Sequence, residues 1–145
     1  MPVELWGIKM IRTALACCAL AVMAGCSTMA IDVDKAARMD ASAILDPSMV
    51  SAAADRGTVR IARDSGAWSA AKTVLIYFDG RHVANSEAGR VLELHVPAGA
   101  HNVGMQVGAA DRPIRYQDMN IVAGQVYDFR ISSSSSDDWE ITQLR

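Results

Sequence analysis

The sequence predicts an all-β domain, an antiparallel β-sandwich of about seven or eight short strands, preceded by a signal peptide and a short helical tether. Three observations carry that expectation. From Gly57 onward, runs rich in Val, Ile, Leu, Tyr and Phe alternate with polar residues at the period of a strand. Glycine- and proline-bearing turns punctuate these runs at Asp79-Gly80, Pro97-Ala98-Gly99 and Ala123-Gly124. No segment after Gly57 has room for the crossover helix of a βαβ fold. The resulting organisation is a signal peptide over 1–25, a tether over 26–56 and the sandwich over 57–145.

The leader comes first. Lys9 and Arg12 form a positive n-region, and Thr13 to Gly25 is an uncharged, almost wholly apolar run. That run is shorter than the ~20 residues a helix needs to cross hydrocarbon. Ala24 and Gly25 are small enough to enter a peptidase cleft in extended form, which sets the cleavage between Gly25 and Cys26. An ordinary cleaved leader with a chance cysteine is the plainer alternative. The string Met23-Ala24-Gly25-Cys26-Ser27 resembles the bacterial lipobox, with Met23 where leucine is usual. The resemblance implies acyl chains attached at Cys26, and Ser27 after it implies sorting to the outer membrane, facing the periplasm. A single acyl chain binds a bilayer only marginally, whereas two or more hold. The expected partner is thus the membrane, through a lipid anchor.

Composition narrows the rest. Of three cysteines, Cys17 and Cys18 lie in the leader, so no pair remains to staple an exported domain. Apolar burial must hold it. The net charge is −2 and no basic stripe is present, which argues against nucleic acid as a partner.

Along the tether, Asp34 is expected to cap a short helix carrying Ala36, Met39, Ala43 and Ile44 on one face. Asp46-Pro47 reads as an N-cap with proline at the first helical position, and Gly57 as the stop. Packing of this segment on the domain is the alternative. Thr58 to Arg63 then alternates, with Val59 and Ile61 inward and Arg60 outward. Thr73 to Asp79 is a continuous β-prone run, expected to be buried on both faces. Asp79-Gly80 should close a two-residue hairpin to Arg81–Ala84. Arg90 to Val96 places Leu92, Leu94 and Val96 on one face, and the next strand does so with His101, Val103, Met105 and Val107. A second hairpin is expected at Ala123-Gly124, between Arg115–Val122 and Gln125–Ser132. The serine run Ser132 to Ser136 with Asp137-Asp138 forms a solvated loop before Trp139 to Leu144 closes the sheet.

With the strands placed, a pattern emerges: Ile76-Tyr77-Phe78-Asp79-Gly80-Arg81-His82-Val83, then Leu92 to His101 around Pro97-Ala98-Gly99, then Ala123-Gly124-Gln125-Val126-Tyr127. In that order these turns resemble the PEGA-like β-sandwich of bacterial surface proteins and small envelope lipoproteins. Ser86-Glu87-Ala88-Gly89 stands where the surface-repeat type has Gly-x-Thr-Pro, which sides with the lipoproteins. The resemblance implies a fold and a location, and brings no catalytic residue with it.

Candidate sites are sparse. His82, His95 and His101 are the only histidines, and a pair flanking one turn lacks a third ligand for metal. His101 is expected to cap its turn or pack beside the next strand, with His82 and His95 facing solvent. No glycine-framed nucleophile or phosphate cradle is present. No catalytic residue, metal or cofactor is therefore assigned. Trp68, between strands, and Arg112 and Arg115, around Pro113, are the residues picked for a binding surface. The function expected is non-catalytic binding or structure, with an envelope protein or peptidoglycan as partner. A carbohydrate-binding module, with Trp68 and a tyrosine on one plane, is the alternative. A small hydrolase, with His95 or His101 meeting a carboxylate or serine in a pocket, is a more distant one.

Overall fold

The computed structural model describes residues 28–108 and 112–145. Gly25 and Cys26 lie outside them. Among the described residues, eight strands form two four-stranded sheets: β1 (Arg56–Arg63), β4 (Val91–Pro97), β7 (Val126–Ser133) and β8 (Trp139–Gln143) make one, in the order β4-β1-β7-β8. The other contains β2 (Val74–Phe78), β3 (Arg81–Ser86), β5 (Gly99–Val107) and β6 (Arg115–Ile121), in the order β3-β2-β5-β6. The all-β sandwich is thus the fold. No helix among the described residues is long and apolar enough to cross a membrane.

Alternation explains the core. Val59, Ile61, Leu94 and Phe129 of the first sheet and Ile76, Phe78, Val103 and Met105 of the second belong to one buried cluster. β2 is not buried on both faces as expected: Val74, Ile76 and Phe78 are fully enclosed, while Leu75 and Tyr77 are half-buried. Only one face of its sheet meets the other sheet, so the continuous apolar run still alternates. Asp79 and Gly80 have φ of +48° and +74°, the two positive values that a type I′ hairpin requires, and they join β2 to β3. Gly104 serves a close approach, because a Cβ there would lie 2.6 Å from the Tyr116 ring on β6. It relieves crowding between the two strands.

Two turns are not hairpins. Pro97-Ala98-Gly99 carries the chain from β4 in one sheet to β5 in the other, and Ala123-Gly124 carries it from β6 to β7. Both are corners of the sandwich. The second has a consequence for direction. Thr58 N–H donates to Gln125 O at 2.9 Å and Gly124 N–H to Arg56 O at 2.8 Å, so β1 and β7 start side by side. They therefore pair in parallel, from Thr58↔Val126 to Arg63↔Ile131, while the other strand pairs are antiparallel.

Residues 28–55 are not a tether. They lie on the sandwich as a strap, with Val33 and Met49 buried and Met39 and Ile44 packed against the core. Met29 bridges to Ser65, Arg38 to Val91 on β4 and Ile44 to Ala84 on β3. The Asp34 helix does not form. Asp32 instead takes the Asp34 N–H in a single turn, and Asp34 is free to reach Arg60 at 2.8 Å. Asp46 does cap, accepting from Ser48 N–H at 3.0 Å, with Pro47 next. The turn it caps is a three-residue 3-10 turn, Pro47–Met49, ending well before Gly57 because the chain must extend into β1 at Arg56.

Candidate functional site

Arg112 and Arg115 come together, in a small cleft at one end of the sandwich. Met105 and Val107 at the end of β5, Pro113, and Asp137 and Trp139 at the turn into β8 complete it, around about 90 Å³. Sequence puts each in place. Met105 lies opposite Arg115 across β5–β6, and Trp139 opposite Ser133 across β7–β8, so the cleft bridges both sheets. Trp139 fills its floor, 2 % exposed, with its indole N–H donating to Ser136 O at 3.1 Å. Arg115 donates to the Trp139 carbonyl. Arg112 lies at the exposed rim, 3.3 Å from Asp137. Hydrogen bonds from Ser136 and then Arg112 hold the Asp137 carboxyl below the usual carboxylate range. The Arg112–Asp137 pair is solvated and adds little stability. The loop is braced from beneath: Gln106 donates to Arg112 O at 2.6 Å and accepts from Tyr77 OH at 2.9 Å.

Trp68 does not line this cleft. It sits on α1 (Ala67–Ala70), 40 % exposed, on the far side of Arg63. That arginine is buried and lies 5.5 Å over the Trp139 ring. Its guanidinium donates to the carbonyls of Ser69, Ser86 and Lys72, and to Ser69 Oγ. Burial pushes Arg63 down to about 10, which leaves it charged at neutral pH. Arg63 thus joins α1 to the cleft floor without opening Trp68 into it. No ring contact joins Trp68 to a tyrosine among the described residues.

The opposite end holds His101. Its Nδ1–H donates to Asp79 Oδ2 at 2.7 Å, and its Nε2 lies 2.9 Å from Pro97 O. Asn102 N–H donates to Asp79 Oδ1 at 3.0 Å. The pair thus clasps the β2–β3 hairpin to the β4–β5 corner. Partial burial is the largest single influence on Asp79 and pushes its carboxyl up. Hydrogen bonds from His101 and Asn102, with the charges of His101 and Arg81, outweigh it and hold the group low. The concavity beside the pair is lined by Ala100, Asn102, Asp118, Met119 and Asn120, with no serine, threonine or cysteine. Both ring nitrogens face acceptors, so neither is left as a base for a bound substrate.

The other histidines stand apart. His95 is half-buried rather than solvent-facing, 3.3 Å from Thr58 Oγ1 and 3.8 Å from Glu93. His82 is exposed, 2.9 Å from Asn85 Oδ1. No hydrogen bond or ion pair joins His95 to His101 among the described residues. There, too, no group of three or more His, Cys, Asp or Glu is placed to hold a metal ion.

Sequence reasoning missed Asp137 as a cleft residue and assigned it only to a solvated loop. Its place immediately before Asp138-Trp139 is the signal that links it to the aromatic floor. It also missed the buried charges Asp64 and Asp128, whose partners Arg130 and Arg60 come from neighbouring strands. No known protein family, characterised protein or solved structure matches the chain.

Proposed function

We propose that the chain is an exported lipoprotein of the cell envelope, held at the outer membrane by acyl chains on Cys26. Its sandwich faces the periplasm in a non-catalytic role, as a binding or structural accessory of an envelope assembly. The observation that carries this reading is Cys26 itself, following Ala24 and Gly25 at the end of an uncharged run behind Lys9 and Arg12. The turn order shared with PEGA-like sandwiches supports the location. The His101–Asp79 pair supports the non-catalytic half, because its geometry spends both ring nitrogens on holding two turns together. The partner is an envelope protein or the peptidoglycan layer. The arginine-rimmed cleft over Trp139 is the feature best suited to meet it, through a carboxylate that Arg112 can bind in place of Asp137.

Metabolic labelling with a clickable palmitate analogue tests the anchor. The wild-type protein is expected to take up label and the Cys26→Ala variant to lose it; label retained without Cys26 would overturn the reading.

A further inference from the structure

If Cys26 carries the anchor proposed above, its position also fixes which way the domain faces. Resting on that reading, we infer that the end of the sandwich bearing α1 and the Arg112–Arg115 cleft lies against the headgroups. Trp68 and Met29 are then the side chains that enter the interface.

The reach of the chain sets the distance. Met29 is tied to the sandwich in both directions, its N–H donating to Ser65 O and its carbonyl accepting from Ser65 N–H, each at 2.9 Å. Met29 lies only three positions after Cys26, a span of at most about 11 Å even when fully extended. The polar layer on each side of the hydrocarbon is itself about 5–8 Å deep. A domain held this closely cannot stand off from the bilayer. Had residues 26–56 been a free tether, no face would have been selected.

The surface at that end suits the contact. Trp68 follows Ser65 by three residues and is 40 % exposed, and Met29 is 60 % exposed. An indole on a short helix has the mixed apolar and polar character that settles at headgroup depth. Arg63 connects α1 to the Trp139 floor, and Arg115 and Arg112 flank that floor. Arg115 is bonded to the Trp139 carbonyl and Arg112 is paired with Asp137 at the exposed rim, so two arginines share the end with Trp68. A headgroup phosphate of an anionic lipid can take the place of Asp137 on the solvated Arg112. The His101–Asp79 end, across the length of the strands, then points into the periplasm.

The test uses the processed lipoprotein, purified from membranes and reconstituted into phosphatidylethanolamine–phosphatidylglycerol vesicles with chains brominated near the headgroup. Bromine is expected to remove most of the Trp68 contribution to the emission. That contribution is the difference between wild type and Trp68→Phe, in which buried Trp139 still reports folding. A Gly/Ser spacer of about 20 residues after Ser27, with an r.m.s. span of roughly 25 Å, is expected to restore it. Flotation and the mass of the amino-terminal peptide are read on the same sample. A lipidated protein that floats while its Trp68 emission ignores bromine overturns the orientation and leaves the anchor standing. An unmodified Cys26 on protein that does not float overturns both.

Discussion

Arg60 and Asp128 face each other across the parallel β1–β7 pairing and share two hydrogen bonds, Nε to Oδ1 at 2.6 Å and Nη2 to Oδ2 at 2.8 Å. Both side chains are nearly enclosed, since Asp34 from the strap and Arg145 close over them. Hydrogen bonding to Asp128 is the main influence that raises Arg60 further above its already high value. Asp128→Ala strands a buried guanidinium, and is expected to cost about 3–5 kcal/mol in urea unfolding. Arg60→Met combined with Asp128→Leu is expected to cost less than Asp128→Ala alone. A double variant at least as unstable as the single would show that the pair is worth more than its desolvation.

The strap is part of the core rather than an appendage. Met49 is 4 % exposed within the main hydrophobic cluster. Met49→Ala is therefore expected to lower stability by about 2–3 kcal/mol. A midpoint unchanged from wild type would mean that residues 28–55 do leave the sandwich in solution.

Acid should weaken the clasp at the His101 end. The folded Asp79 carboxyl lies below its ordinary value, so as the pH falls the unfolded chain takes up the proton first. Its stabilisation is complete above the unfolded value of about 3.9 and drains away as the pH drops through the folded one. Asp46, held low chiefly by hydrogen bonding from Ser48, behaves alike. The urea midpoint of wild type is expected to fall as the pH is lowered below about 5. The Asp79→Asn variant should start lower at neutrality and fall less steeply. Equal slopes for the two proteins would remove Asp79 from the account.

Two tryptophans of the sandwich should respond oppositely to truncation. Trp139 is enclosed beneath Arg63, so Trp139→Ala is expected to cost about 3–5 kcal/mol. Trp68 is exposed on α1, and Trp68→Ala is expected to stay within about 0.5 kcal/mol of wild type. Thermal melts of the two variants check both, and a large loss at Trp68 would make it a packing residue.

Local chemistry was legible in the chain, and long-range direction was not. Asp79-Gly80 announces its hairpin because a type I′ turn demands positive φ at both positions. Pro97-Ala98-Gly99 and Ala123-Gly124 reverse the chain with similar residues, yet nothing local says whether the next strand stays in its sheet or crosses to the other. The parallel β1–β7 pairing follows from that unread choice. The strap was legible only as the alternative to a tether, because its buried residues, Val33 and Met49, stand far apart among Ala, Asp and Ser, without a period that marks a packed face. At the candidate site, Arg112 and Arg115 were readable as arginines beside Pro113. Their floor, Trp139, comes from the other sheet, and only the fold brings it beneath them.

The strap also governs what the sheets can do to one another. By bridging to Val91 and to Ala84 it covers part of the outer rims of β4 and β3, one from each sheet, while β6 and β8 form the other rims of the described sheets. Open-ended growth by strand addition needs a vacant rim on both sides of a sheet. Within either sheet, a second copy can therefore add a strand along β8 or β6, while the strap stands in the way on the other side.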